Sequence, residues 1–438
     1  MRLALTVLLA VSSFASSFAA PSAAPAGMDA SQPIPFYIED GSGVSGYDKG
    51  DPELAELALR AWSRESGFRL HFVRAETAAS ALLQVRWVSP AEGHFGEMAR
   101  IDVGGKPGAR VHVTPDTRLQ GEALARAAAS DRLLRDSIVY LTCVHEIGHA
   151  LGLAHTAEFA DIMYSFQYGG DILKYFLRYR EKLGSRADIV RFSGLSSADA
   201  MVLKTLYSGA AEEVRVAAAS DLQFAIREMA PEFQKATGHT LRVTLGSSGN
   251  FYAQISNGAP FDVFLSADAN YPRRLEQEGR AEKGGARVYG VGRIALWVPQ
   301  ASGIDLEKLG MNALESASIR KIAIANPDHA PYGRAAVAAM EKSGVYERVR
   351  SRLVMGENIA QAAQFAQSGA ADIGVVALSL AMSDAMKRSG RYWIVPSDLH
   401  PPLEQAAALL KGSPGARAFV DWLQSAEART ILRRYGFQ

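Results

Sequence analysis

The sequence predicts a multidomain chain in which an α+β unit precedes a two-lobed α/β unit. Three observations carry this. Residues 145–155 read His-Glu-Ile-Gly-His-Ala-Leu-Gly-Leu-Ala-His, at the end of an amphipathic helical run. From Val214 onward, strand-like runs alternate with helical stretches, which argues α/β with largely parallel sheets. Between the two lies Ser208-Gly209-Ala210-Ala211-Glu212-Glu213, a short connector of small and acidic residues. A chain of 438 residues is expected to hold two or three compact units, and the about 225 residues after the connector suffice for two lobes.

The elements follow in order. Residues 1–20, with Arg2, an apolar stretch over 3–11 and small residues ending at Ala19-Ala20, are expected to form a secretory signal peptide. No cysteine follows the apolar stretch, so no lipid anchor is expected, and residues 21–32 are expected to be a disordered leader. Asp51-Pro52 can open a helix running through Ala61-Trp62. Residues 70–73, 82–88 and 110–114 are β-prone. Leu133, Leu134, Ile138, Leu141 and Val144, interleaved with Arg132, Arg135 and Asp136, form the apolar stripe of a helix packed in a core. A further helix opens at Leu195-Ser196-Ser197-Ala198-Asp199 and ends at Leu206-Tyr207. After the connector, 214–220 is a strand that opens the second unit. Strands at 241–245, 263–266, 294–298, 321–325 and 373–377 follow, alternating with helices such as 222–233. The chain is expected to cross between lobes near Trp297-Val298-Pro299 and near Trp393-Ile394-Val395-Pro396.

The chemistry of the first unit follows from spacing. His145 and His149, four apart, share one helix face and can hold one Zn²⁺ between them. Glu146 projects toward the open coordination position, where it can serve as general base toward a water. Gly152 permits a turn most residues resist, which returns His155 as third ligand. Three protein ligands with a fourth position open is the catalytic pattern. With Met163 eight residues beyond His155, in Asp-Ile-Met-Tyr-Ser, the stretch resembles the metzincins and, within them, the matrixins. Met163 then matches the family's Met-turn beneath the zinc, and the resemblance covers residues 33–208. It implies a metzincin-like fold and a zinc metalloendopeptidase acting on a peptide or protein substrate. Cys143, the one cysteine, reads as a small buried helix residue, so neither a disulfide nor a cysteine propeptide switch has a counterpart here. His71, His94 and His112 show no tight spacing that would make a second metal site.

The second unit reads as an anion binder. Ala219-Ser220-Asp221 and Gly246-Ser247-Ser248-Gly249 each end a strand and begin a helix, offering backbone N–H groups and a serine hydroxyl to an oxyanion. Many neutral donors suit a fully deprotonated tetrahedral dianion, whereas a protonated phosphate also wants an acceptor. These segments resemble, in order, the periplasmic molybdate-binding proteins of ABC importers. So do Gly258-Ala259-Pro260-Phe261-Asp262-Val263-Phe264, Ser266-Ala267-Asp268, Asn326-Pro327-Asp328-His329-Ala330-Pro331-Tyr332-Gly333 and Gly356-Glu357-Asn358-Ile359. The resemblance spans 214–438 and implies a two-lobed periplasmic-binding-protein fold of type II. It assigns the anion to Ser220, Ser248, Tyr332 and Ile359. Some relatives add a tyrosine hydroxyl where this chain has Ala377, which leaves one donor undetermined. Asp262 and Asp268 read as caps of strand-to-helix turns.

Lysine and arginine number 47 against 46 aspartates and glutamates, a balance that gives no sign of nucleic-acid binding. The expectation is therefore an exported protein, periplasmic or secreted. A matrixin-like zinc endopeptidase at 33–208 is joined through 209–213 to a molybdate- or tungstate-binding module at 214–438 that serves a membrane permease. Two alternatives stand beside it: a pure transport protein with a non-catalytic zinc domain, and a protease regulated by the anion.

Overall fold

The computed structural model describes residues 27–89 and 96–438. The expected signal peptide, the first part of the expected leader and His94 lie outside the described residues. No helix among those described is long and apolar enough to cross a membrane.

The first unit is built on a five-stranded sheet of β1 (Ile34–Ile38), β2 (Phe72–Arg74), β3 (Leu83–Trp87), β4 (Gly96–Val103) and β5 (Lys106–Val113). The order is β2-β1-β3-β5-β4, parallel except for β4, which runs antiparallel to β5 along one edge. In β1 the buried Ile34, Phe36 and Ile38 alternate with partly exposed residues, the period of two that a half-covered strand requires. The helices Asp51–Glu65 and Arg132–Ala150 pack together in the core beside this sheet. Pro52 starts the first of them, where its missing N–H does no harm. Asp131 caps the second, its carboxylate accepting the N–H groups of Leu133 and Leu134 at 2.9 and 3.1 Å. Trp62 is fully buried between the helices and donates its indole N–H to Val144 O at 2.9 Å. Asp51, also buried, pairs with Arg135, while Arg186 donates to Asp136 at 2.6 Å. β1, β4 and the helices Glu122–Ser130 and Ile172–Arg180 have no counterpart in the sequence expectation.

The leader expectation needs correction over 27–32. Met28 is buried in the core of this unit and its N–H donates to Tyr207 Oη at 3.0 Å. The Tyr207 hydroxyl donates onward to Leu151 O at 2.9 Å, so the segment is tied down beside the end of the histidine helix.

The second unit holds two sheets with the same strand order. The first lobe comprises β6 (Glu213–Ala219), β7 (Thr240–Gly246), β8 (Val263–Ser266) and β9 (Arg287–Gly292), and the second lobe β10 (Ile294–Pro299), β11 (Ile322–Ala325), β12 (Leu353–Gly356), β13 (Ile373–Ala377) and β14 (Gly390–Ile394). β15 (Leu403–Leu409) then returns to the first. The orders are β7-β6-β8-β15-β9 and β12-β11-β13-β10-β14. In each sheet four strands run in one direction, as a largely parallel sheet requires, and one, β15 in the first lobe and β10 in the second, runs against them. The antiparallel strands arise because β10 and β15 cross from the other lobe.

Those crossings are at Arg293, between β9 and β10, and over 395–402, between β14 and β15. The expected crossing at Trp297-Val298-Pro299 is therefore misplaced. Trp297 lies fully buried in mid-strand, paired with Gly374 and Tyr392, and its apolar neighbours belong to the second lobe's core.

The two units are in contact. Phe68 adopts φ +60°, a left-handed conformation that strains a side-chain-bearing residue, and its ring lies in the apolar core of the first lobe. His71 pairs with Asp421, which also receives Arg287 at 2.6 Å.

Candidate functional site

The histidine site grows from one helix and one turn. Helix Arg132–Ala150 carries His145, Glu146 and His149. It ends through Gly152 at φ +93°, where Leu153 N–H reaches back to Gly148 O at 3.0 Å. The chain then presents His155, whose Nε2 lies 3.2 Å from His145 Nε2 and 3.0 Å from His149 Nε2. All three ligand atoms lie within 4.8 Å of one another, and no other such cluster occurs among the described residues.

The tautomers follow from the partners. His145 Nδ1 faces Ile162 O at 2.7 Å and His149 Nδ1 faces Leu153 O at 2.9 Å. A carbonyl only accepts, so both Nδ1 atoms carry the proton and both Nε2 atoms turn lone pairs inward. Burial first, and then neighbouring histidines, pushes His145 down to about 3 and His149 down to about 4. Burial also lowers His155. Two inward lone pairs, with the Nε2 of a third histidine beside them, form a donor set that fits Zn²⁺.

Met163 lies under this cluster and is nearly inaccessible. Its carbonyl accepts Thr156 N–H at 2.9 Å, which clamps the His155 turn to the Met163 segment. Asp199 accepts Ile162 N–H at 2.8 Å and thereby fastens the helix Ser197–Leu206 to the same turn. Glu146 is buried, and that burial, helped by the Glu97 charge, pushes its carboxyl up to about 8. A cation on the histidines would favour its ionised form. A Cβ at Gly96 would stand 2.4 Å from Glu146 Oε1, so any larger residue on β4 here would displace the glutamate side chain. Neither Gly96 nor Glu97 was legible in the sequence, because nothing local ties β4 to the histidine helix. Cys143 is buried as expected, its thiol pushed well up by burial.

The second site lies between the lobes. Ser220 opens the turn Ser220–Leu222 after β6, and Ser248 opens the helix Ser248–Ser256 after β7. From the second lobe, Tyr332 lies in the first turn of Pro331–Lys342 and Ile359 opens Ile359–Gln367. All four are buried. Contacts join the lobes around them: Ala360 N–H donates to Ser220 Oγ at 3.4 Å and Gly249 N–H to His329 O at 2.9 Å. Ser247 Oγ and His329 Nδ1 are 2.9 Å apart, and Arg334 pairs with Asp268 at 2.7 Å. Asp268 also accepts Asn270 N–H at 3.0 Å, the capping role expected of it, while Asp262 binds Arg215 on β6 at 2.8 Å.

A family model described as bacterial extracellular solute-binding protein matches residues 214–438. The chain is 40% identical over 230 residues to the molybdate-binding protein ModA of Azotobacter vinelandii, covering 52% of this chain and 90% of that one. It is 40% identical over 245 residues to the molybdate-binding protein ModA of Rhodobacter capsulatus, covering 55% and 94%. The chain belongs to the bacterial extracellular solute-binding protein family. Among solved structures, the Azotobacter vinelandii periplasmic molybdate-binding protein aligns at 33% identity with a TM-score of 0.49, covering 51% of this chain and 98% of that one. A second family model, described as matrixin, matches residues 47–174, which include the three histidines, Glu146 and Met163.

As a solute-binding protein the chain has a cleft with a further buried layer that sequence reasoning missed. Asp221, Tyr289, Ser379 and Gln405 meet behind Ser220 and Tyr332. Each of these hydrogen bonds joins residues more than 100 positions apart, so no local signal marks them. Ala377 ends β13, and the short helix Leu378–Ala381 that follows supplies Ser379.

Proposed function

We propose that this chain is an exported protein with two functions: a zinc-dependent endopeptidase, residues 33–208, joined through 209–213 to the molybdate-binding module of an ABC importer, residues 214–438. The observation that carries the binding half is the meeting of four element N-termini, two from each lobe, in a chain 40% identical to a molybdate-binding protein. Ser220 and Ser248 donate hydroxyl and backbone N–H groups, and Tyr332 and Ile359 donate backbone N–H groups, to molybdate or the near-isosteric tungstate. Closure removes water and strengthens each bond. The loaded module then docks on a membrane permease from the periplasmic side.

For the first half the support is the convergence of three Nε2 atoms within 4.8 Å. His145, His149 and His155 hold Zn²⁺, which supplies a Lewis acid for a peptide carbonyl. Glu146 takes a proton from the attacking water and returns it to the leaving amine. β4, an edge strand, offers its outer backbone to an extended peptide beside Glu146.

Titration of the full chain with molybdate, with sulfate as competitor, tests the binding half. Tight molybdate binding that sulfate does not displace is expected, and Ser220→Ala should weaken it by about 10- to 100-fold, the loss of one hydrogen bond to a charged group. Sulfate binding as tightly as molybdate would overturn the ligand choice. An anion-regulated protease is the second reading, favoured by the packed contact through Phe68, His71 and Asp421. A cleavage rate and zinc affinity unchanged by molybdate would exclude it.

A further inference from the structure

Asp221 follows Ser220 directly and has no role in the sites above. It is 1% exposed. Its Oδ2 accepts the Tyr332 hydroxyl of the second lobe at 2.9 Å and the Gln405 amide of β15. Gln405 Oε1 in turn accepts the Tyr289 hydroxyl of β9 at 2.9 Å. From the second lobe, Ser379 donates its hydroxyl to the Asp221 carbonyl at 2.7 Å. Both lobes thus meet on one residue, and both of its second-lobe partners are lost if the cleft opens. Oδ1, equally buried, has no hydrogen-bond partner. The titratable groups packed against the carboxyl are the phenols of Tyr289 and Tyr332.

A buried carboxylate with an unsatisfied oxygen is strongly disfavoured while it is charged, and far less so once that oxygen carries a proton. We propose that Asp221 is the positioning residue that closes the second lobe on the first, and that closure over an oxyanion loads a proton onto its Oδ1. The proposal rests on the oxyanion reading of the cleft. In the closed protein burial raises this carboxyl to about 6, against the opposing hydrogen bonds of Gln405, Tyr332 and the backbone N–H groups of Asp221 and Leu222. A dianion held at Ser220 adds like charge and raises it further. In the open protein the group returns to water and to its ordinary value of about 3.9. Between those two values the closed, loaded form binds one proton more than the open form. Affinity is therefore highest on the acid side and falls as pH rises through the raised value.

Calorimetric titration of the full mature chain with sodium molybdate, near about pH 5 in two buffers of different ionisation heat, counts the protons. Uptake approaching about one proton per anion is expected, with Kd weakening by up to about tenfold per pH unit between about pH 4.5 and the raised value and levelling off above it. Asp221→Asn should abolish the uptake and flatten the profile. Binding by the parent without proton uptake would overturn the proposal and leave the anion reading standing. No molybdate binding at any pH would overturn both. Uptake persisting in Asp221→Asn would place the proton elsewhere and also overturn it. The proton count on the parent decides the matter even if the variant does not fold.

Discussion

Replacing Gly148 by alanine sets two effects of opposite sign against each other. Gly148 lies inside the helix Arg132–Ala150, where alanine is favoured over glycine by about 1 kcal/mol, so helix propensity alone calls for a more stable protein. A Cβ at this position, however, stands 2.5 Å from Met163 Sδ and 2.8 Å from Trp62 Cζ2. The thioether has rotamers through which to yield, but the indole is held by its N–H bond to Val144 O at 2.9 Å. Overpacking a closed core costs about 1–3 kcal/mol, and two contacts under 3.0 Å, one of them on a held indole, place this site at about 2–3 kcal/mol. Less the propensity gain, Gly148→Ala should lose about 1–2 kcal/mol, or roughly 2–8 °C in the melting midpoint of a unit this size. Movement of Met163 also disturbs its carbonyl bond to Thr156, next to His155, so zinc affinity should fall with stability. Scanning calorimetry of the metal-free chain, paired with a zinc competition titration, measures both. A variant as stable as the parent or more so, with unchanged zinc affinity, would refute this account of the packing beneath the histidines.

Other outcomes follow from the same contacts. In the metal-free protein, His145 and His149 are held neutral in the folded state, at about 3 and about 4. The unfolded chain takes up protons near its ordinary value of about 6.5. Stability is therefore present above that value and lost as pH falls below it, by up to about 1.4 kcal/mol per histidine per pH unit. Glu146, raised to about 8, gains a proton over the same range and acts in the opposite direction. The test is therefore made in Glu146→Gln, where a melting midpoint of metal-free protein that does not drop between about pH 7.5 and pH 5 would contradict this. Phe68→Ala removes a ring buried across the two units and should cost about 3 kcal/mol, separating their unfolding into two transitions or widening an existing gap. An unchanged calorimetric trace would show that the ring couples nothing. Arg334→Ala breaks a partly exposed pair between the lobes, with side-chain exposures of 40% and 23%, so molybdate affinity should shift by less than about fivefold. A larger loss in titration would give that pair a role in closure it is not assigned here.

What could be read from the sequence was whatever obeys a local rule. The helix 132–150, the turn at Gly152 and the return of His155 are set by residues within a dozen positions, and the structure has each where spacing put it. Of the four proposed anion residues, Ser220 and Ser248 were legible because each opens an element just after a strand, whereas Tyr332 and Ile359 came only from the resemblance. Strand exchange between lobes was not. β10 and β15 look like any other apolar strand, and only the tertiary pairing of Trp297 with Gly374 and Tyr392 reveals which sheet owns it. The crossing at Arg293 spans one residue, too short to leave a composition signal. β4 escaped notice because its residues Gly96–Val103 alternate weakly, being mostly half-buried or exposed at a sheet edge. Asp221 was seen as part of a turn, yet its partners Tyr289, Tyr332, Ser379 and Gln405 are brought to it only by the closed fold. Met28 likewise depends on Tyr207, at the far end of the unit.

The most direct test of the two-function account is cleavage of an unfolded protein substrate by the purified, zinc-loaded full chain, run beside Glu146→Ala. Glu146 is the buried carboxyl beside the three histidines, and no other residue of the site is assigned proton transfer. The account requires cleavage by the parent and a loss of about a hundredfold or more in the variant, with zinc content equal in both. Absence of cleavage by both, with zinc bound, would contradict the endopeptidase assignment and leave a binding protein that carries a non-catalytic zinc domain.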